Sequence, residues 1–204
     1  MKLNIWTSVL LCFVSWLAWV CPGYADMPAA RVQSMLEEVM AVQTNPELKG
    51  PTFRDQRRAA IKKIIAQNFD FEAMAKGSLG EYWEKLKGAE RAEFKGIFQD
   101  LFQESYTKLV LDFLKREKIL FNQEDLHPGK ALVKTTIVRV NEEIPVDYFL
   151  NDAPGSWLIE DVAIDGVSIV RNYQRSFNQV IRRESYKSLL QKMRLQQQAI
   201  EKPS

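Results

Sequence analysis

The sequence predicts an α+β fold: a helical N-terminal half packed on a twisted antiparallel sheet and closed by C-terminal helices around an apolar interior. Three observations carry this. Apolar residues recur at spacings of three and four up to about residue 115, the period drops to two with β-branched residues after Phe121, and helical spacing returns near Ser168.

The chain opens Met1-Lys2-Leu3-Asn4, runs without charge from Ile5 to Val20, and then reads Cys21-Pro22-Gly23-Tyr24-Ala25 before Asp26. A basic start, an apolar middle and a small-x-small exit make a secretory signal, expected to be cleaved after Ala25. An uncleaved anchor is disfavoured by that exit, and a lipidated Cys21 by the bulky Trp19 and Val20 before it. The domain expected to remain spans residues 26–196, with 197–204 as a polar tail. Both cysteines, Cys12 and Cys21, fall within the signal. The remainder therefore has no disulfide and no thiol chemistry, and must be held by its core.

Val32, Met35, Leu36, Val39 and Met40 form the stripe of a first helix over 29–43. Thr52 is read as the N-cap of a second, with Asp55 in its first turn and Ile61, Ile64, Ile65 and Phe69 on its inner face. The segment 70–80 holds Gly77 and Gly80, which end a helical turn and permit close packing. The longest helix spans 88–115, with Phe94, Phe98, Phe102, Tyr106, Val110 and Phe113 along one side. Strands follow over 131–140, 144–150 and 157–164, separated by turns at Asn141-Glu142 and Asn151-Asp152-Ala153-Pro154-Gly155, as in an antiparallel meander. Pro145 suggests an edge or a bulge. Asp165-Gly166 ends the sheet, and helices near 168 and over 185–196 complete the chain.

Catalytic patterns are missing: there is no GxSxG elbow, HExxH helix, P-loop or GxGxxG. The one histidine, His127, precedes Pro128 in a turn between the helical and strand blocks. Asp161 and Asp165 are the nearest thing to an acid–base pair, but sheet solvation or helix capping explains them better. The reading is therefore not an enzyme, with no cofactor and no metal. With 28 basic and 26 acidic residues, the chain also lacks the electrostatic footprint of a nucleic-acid binder. What stands out is aromatic surplus. Either it fills a core, or the helix and sheet layers part around a dry pocket.

Specific strings go further. Phe69-Asp70-Phe71-Glu72-Ala73-Met74-Ala75 with Leu79-Gly80-Glu81-Tyr82-Trp83, the run from Glu93-Phe94 through Phe98 and Tyr106 to Thr107, Ile144-Pro145-Val146-Asp147-Tyr148, and Trp157-x-Ile159-x-Asp161-Val162-x-Ile164-Asp165-Gly166-Val167-Ser168 occur in order, followed by Asn172-Tyr173 and Phe177. In this arrangement the chain resembles the MlaC/toluene-tolerance family of periplasmic phospholipid-binding proteins, from about residue 30 to 193. The resemblance implies a soluble periplasmic carrier of phospholipid acyl chains. Its implied partners are an outer-membrane lipoprotein complex and an inner-membrane ABC transporter with an MCE-type subunit. A branch tied to hopanoid synthesis is similar and would carry a polycyclic lipid; a packed, non-catalytic envelope adaptor is the other alternative. Residues expected to line the pocket are Phe98, Phe102, Tyr106, Val110, Phe113, Val133, Val146, Tyr148, Trp157, Ile159, Val170 and Tyr173, with Arg171 and Arg175 on the head-group side. The family often follows Asn-Tyr with arginine; here Gln174 intervenes, which puts the role of Arg175 in doubt.

Overall fold

The computed structural model describes residues 27–201; the expected signal and both cysteines lie outside the described residues. Seven helices and five strands follow in chain order. They are α1 (Pro28–Thr44), α2 (Arg54–Asn68), α3 (Phe71–Leu79), α4 (Glu81–Glu84), α5 (Gly88–Phe113), β1 (Lys118–His127), β2 (Lys130–Val138), β3 (Glu143–Ala153), β4 (Ser156–Ile164), β5 (Val167–Ser168), α6 (Ile169–Arg183) and α7 (Tyr186–Glu201). The strands form one antiparallel sheet in sequential order. The α+β class predicted from the change of period is the one observed.

Strand β1 has no counterpart in the sequence reading. Its alternation is broken by a bulge between Phe121 and Gln123, and most of its side chains are exposed. An edge strand that buries little leaves little periodic signal. His127 therefore ends β1 and is exposed, and the turn after it lies inside the sheet rather than between the two blocks. Gly129, at φ 71°, supplies the left-handed residue of that turn.

Four other expectations change. Pro145 lies in β3, an interior strand between β2 and β4, but before the β3–β4 ladder begins at Val146–Ile164. Its carbonyl accepts from Asp165 N at 2.9 Å, so its missing N–H faces a turn rather than a strand. Thr52 sits in a 3₁₀ turn, and Phe53 occupies the N-cap of α2 without a side-chain bond. Asp165-Gly166 does not end the sheet. With φ of 50° and 74°, it makes a hairpin turn into the short β5. Helix α7 also runs past Gln196, where Gln197 donates to Asp100 Oδ2 at 2.8 Å.

Helix ends are satisfied from a distance. No side chain of its own caps α1, but Glu124 of β1 accepts from Ala29 N at 2.8 Å. Asp70 caps α3 through Glu72 N and Ala73 N, at 3.0 and 2.9 Å. Gln43 of α1 donates to the Val110 and Leu114 carbonyls at the C-terminus of α5, at 3.0 and 2.6 Å.

Glycine allows α3 and α6 to touch. A Cβ on Gly77 would lie 2.8 Å from Val170 Cγ1, and Gly80, at φ 57°, has Gln174 against it. Gly77→Ala should therefore destabilise by about 1–3 kcal/mol through overpacking, against a helix-propensity gain of about 1 kcal/mol. Urea unfolding of Gly77→Ala and of Gly77→Ala/Val170→Ala checks this: the second substitution should recover most of the loss.

Helices α2 and α5 are clamped by Glu104, which accepts from both Arg58 and Lys62, the latter at 2.6 Å. Burial alone would raise its pKa, but hydrogen bonds and charge from Lys62 and Arg58 win, holding the carboxyl below its ordinary 4.5. A depressed folded-state pKa gives stability that is full above about 4.5 and lost as pH falls toward the folded value. Glu104→Gln should thus cost about 1 kcal/mol at neutral pH, given partners more than a third exposed. Denaturant titrations should show that gap shrink below about pH 4; a constant gap would assign it to packing.

Candidate lipid-binding cavity

Helix α5 is the spine of the interior. Phe94, Phe98, Phe102, Tyr106 and Val110 follow one another at intervals of four along it. Because a turn takes 3.6 residues, that row drifts by about 40° per step. Its first half faces α6 and α7: Phe94 and Phe98 meet Phe177 edge-on at 5.9 and 6.4 Å, and Phe98 meets Tyr173 at 5.3 Å. Phe102 lies between Phe69 and Phe71, and stacks on Tyr106 at 4.1 Å. By Tyr106 and Val110 the row has swung toward α1 and the sheet, and there the layers part.

The space between them is a cavity of about 360 Å³, toward the small end of the roughly 300–1,000 Å³ of ligand pockets. The sheet contributes Ile137 and Arg139 from β2 and its extension, Ile144, Val146 and Tyr148 from β3, and Val162 and Ile164 from β4. Met35, Leu36 and Val39 of α1, Ile64 and Ile65 of α2, and Phe69 close it from the helical side. Along α5 the wall is Phe102, Tyr106, Leu109, Val110, Phe113 and the following Leu114, with Ile169 at the start of α6.

Two irregularities shape the sheet wall. A bulge opposite the Phe149–Leu150 step lets β4 present Ile159 and then Val162 and Ile164 to the same face, with Glu160 and Asp161 absorbing the extra residue. The polar Thr135, buried on the inner face of β2, donates to the Val146 carbonyl at 2.9 Å. Tyr106 and Tyr148 present hydroxyls whose pKa is pushed well up by burial, with the charges of Tyr173 and Asp161 adding to it for Tyr106. Both are neutral at any physiological pH, so the tyrosines bring no charge to the wall.

Of the residues predicted to line a pocket, Phe102, Tyr106, Val110, Phe113, Val146 and Tyr148 are brought together on this cavity. Phe98, Val133 and Ile159 are buried outside it, while Trp157, Val170 and Tyr173 are half-buried against the packed part of the core. Phe98 and Tyr173 fall away because of the drift along α5. Ile159 shares the inner face of β4 with Val162 and Ile164 but sits at the bridge to Phe69, where it is buried without bordering the cavity. Arg171 and Arg175 are exposed on α6 and do not border the cavity.

The one charged residue on the wall is Arg139, at the end where Phe113 and Leu109 reach solvent. Its Nη2 donates to the Phe113 carbonyl at 2.5 Å, and its guanidinium lies 5.9 Å from the Phe113 ring centre. Glu117 and Glu142 approach it at 3.7 and 3.6 Å, while its Nε has no hydrogen-bond partner. Burial alone would raise the Glu117 pKa, but backbone N–H groups of residues 115–117 and Arg139 together lower it. Alternation along β2 puts Arg139 on the inward face with Val133, Thr135 and Ile137, so its position was legible in the sequence.

Asp161, the candidate acid–base residue, is committed elsewhere. Its carboxylate accepts from Val162 N at 2.8 Å, Val170 N at 3.0 Å and the Ser168 hydroxyl, which fastens the N-terminus of α6 to β4. Asp165 is exposed in the hairpin turn.

This architecture has a known counterpart. A phospholipid-binding protein from Ralstonia solanacearum, solved in complex with a phospholipid, is similar at TM-score 0.72 and 19% identity, over 85% of this chain and 98% of that one. At that identity the likeness is one of fold. No curated protein sequence matches this one. The sequence profile of the MlaC protein family matches residues 33–195, nearly all of the described chain. On that match, with the fold in agreement, the chain belongs to the MlaC family.

Proposed function

We propose that this protein binds phospholipid by its acyl chains in the cavity between α5 and the sheet, and carries it through the periplasm. The observation that carries the reading is the wall itself: an apolar surface drawn from four helices and three strands, with one cation at its mouth. Each methylene moved from water into such a space gains about 0.8 kcal/mol, so binding needs no covalent step. Arg139 stands at the mouth, where a phosphate would emerge. The family and the phospholipid-bound neighbour of the same fold support the same ligand.

The finer reading follows the family. The first 25 residues act as a cleaved export signal, and the mature chain moves between an outer-membrane lipoprotein complex and an inner-membrane ABC transporter with an MCE-type subunit. Among the described residues no helix is long and apolar enough to cross a membrane, which fits a carrier released after cleavage. The protein acts by binding rather than catalysis, in keeping with an Asp161 engaged in capping α6.

Native mass spectrometry of the exported protein should find co-purified phospholipid, and extraction should identify it. A polycyclic lipid instead would redirect the reading to hopanoids, and no lipid after mild handling would overturn it in favour of an adaptor. Tyr148→Trp should fill the cavity and reduce bound lipid several-fold, with a stability loss of no more than about 1–3 kcal/mol. Unchanged lipid with a larger loss would make Tyr148 a plain core residue.

A further inference from the structure

The mouth of the cavity opens beside a second, shallower cleft whose charge the binding of acyl chains does not explain. Lys49, Arg57, Lys115, Arg116, Lys118 and Arg139 border it, against only Glu117 and Glu142. The full chain carries a formal charge of just +2, so much of its positive excess is gathered here. Both carboxylates are spent on Arg139. Lys49, Lys115, Arg116 and Lys118 are exposed and make no ion pair among the described residues. Arg57 donates to the Leu48 and Gly50 carbonyls and keeps its charge uncompensated. Apolar side chains project from the same rim. Val140, in the β2–β3 turn, is 97% exposed, and Phe113 is 56% exposed.

Bare cations around protruding apolar side chains are the pattern of a surface that settles on an anionic bilayer, the cations meeting phosphates and the apolar residues entering the interface. We propose that this cleft is a docking face for anionic lipid surfaces, which brings the cavity mouth, Phe113 and Arg139 first, onto the membrane. The docking face rests on the carrier reading above, since it gives the orientation in which a tail could pass directly between bilayer and cavity. An acidic protein would meet the same charge, but it would not account for a nearly fully exposed valine at the tip of the rim. The lipid surface accounts for both.

The test is sedimentation of the exported protein with vesicles of phosphatidylcholine alone, or with roughly a third phosphatidylglycerol, at about 0.05 M and about 0.5 M salt. Binding is expected only to the anionic vesicles and only at low salt. Lys49→Glu/Lys115→Glu/Arg116→Glu should weaken it about tenfold or more, and Val140→Asp should weaken it further. Lipid content by native mass spectrometry and thermal midpoint should stay unchanged. Should the triple reversal fold poorly, Lys49→Gln/Lys115→Gln/Arg116→Gln and the salt dependence of the unaltered protein take its place. Binding to neither vesicle, equal binding to both, or undiminished binding by the charge variants would overturn the docking face. Bound lipid with no vesicle binding would leave the carrier reading standing. Charge-dependent vesicle binding by a protein that holds no lipid would do the reverse.

Discussion

The helical layer and the sheet are joined where the chain leaves α2. Phe69 bridges Ile159 in parallel, Asp70 N donates to the Ile159 carbonyl at 2.8 Å, and Asn151 of β3 donates to Asp70 Oδ2 at 2.8 Å. The other oxygen of the same carboxylate caps α3. A single aspartate thus fixes the distance between the layers and the direction in which α3 sets out. One side of this joint is filled, with Phe71, Phe102, Phe98, Phe94 and Phe177 passing ring to ring toward α7. On the other side, the Arg139 bond to the Phe113 carbonyl joins α5 to the end of β2, and the cavity lies between the layers. The cavity is the open half of a wedge.

An unfilled interior costs contact energy, because wall atoms have no neighbours across the gap. The cost is bearable here because the filled half supplies the rigid frame. The wall offers no carboxylate and only neutral tyrosine hydroxyls, so water gains little by entering. Arginine appears only at the solvent end. The closed half also carries the α3–α6 contact at Gly77, while the clamp of Glu104 with Arg58 and Lys62 holds α2 on α5.

Much of this was legible. The change of period separated helices from sheet, the row at intervals of four identified α5, and alternation put Val146 and Tyr148 on the inner face of β3. What escaped did so for definable reasons. An exposed edge strand with a bulge has no clean period, so β1 was invisible. A bulge at Glu160 and Asp161 shifts the phase of β4, so strict alternation from Trp157 and Ile159 passed over Val162 and Ile164. Spacing by four says that residues share a side but conceals the slow rotation of that side, so Phe98 was placed with Val110. The contributions of α1 and α2 to the wall depend on which helices cover which end of the sheet, a tertiary fact with no local signature.

A wedge closed at one end also determines how the protein could accommodate more than one tail. About 360 Å³ is little for a two-chained lipid, so the mouth must widen. The bonds in the way are few. Gln43 holds the Val110 and Leu114 carbonyls, Arg139 holds that of Phe113, and Arg54 of α2 pairs with Asp112 at 3.1 Å. Such bonds contribute about 0.5–1.5 kcal/mol each, and a handful of methylenes, at about 0.8 kcal/mol apiece, suffices to offset them. Widening at that end leaves Asp70, Glu104 and the phenylalanine row untouched, so it need not unfold the domain. The unit of lowest local stability should then be the C-terminal turn of α5 with the adjoining β2–β3 turn, the segment that carries Phe113, Arg139 and Val140.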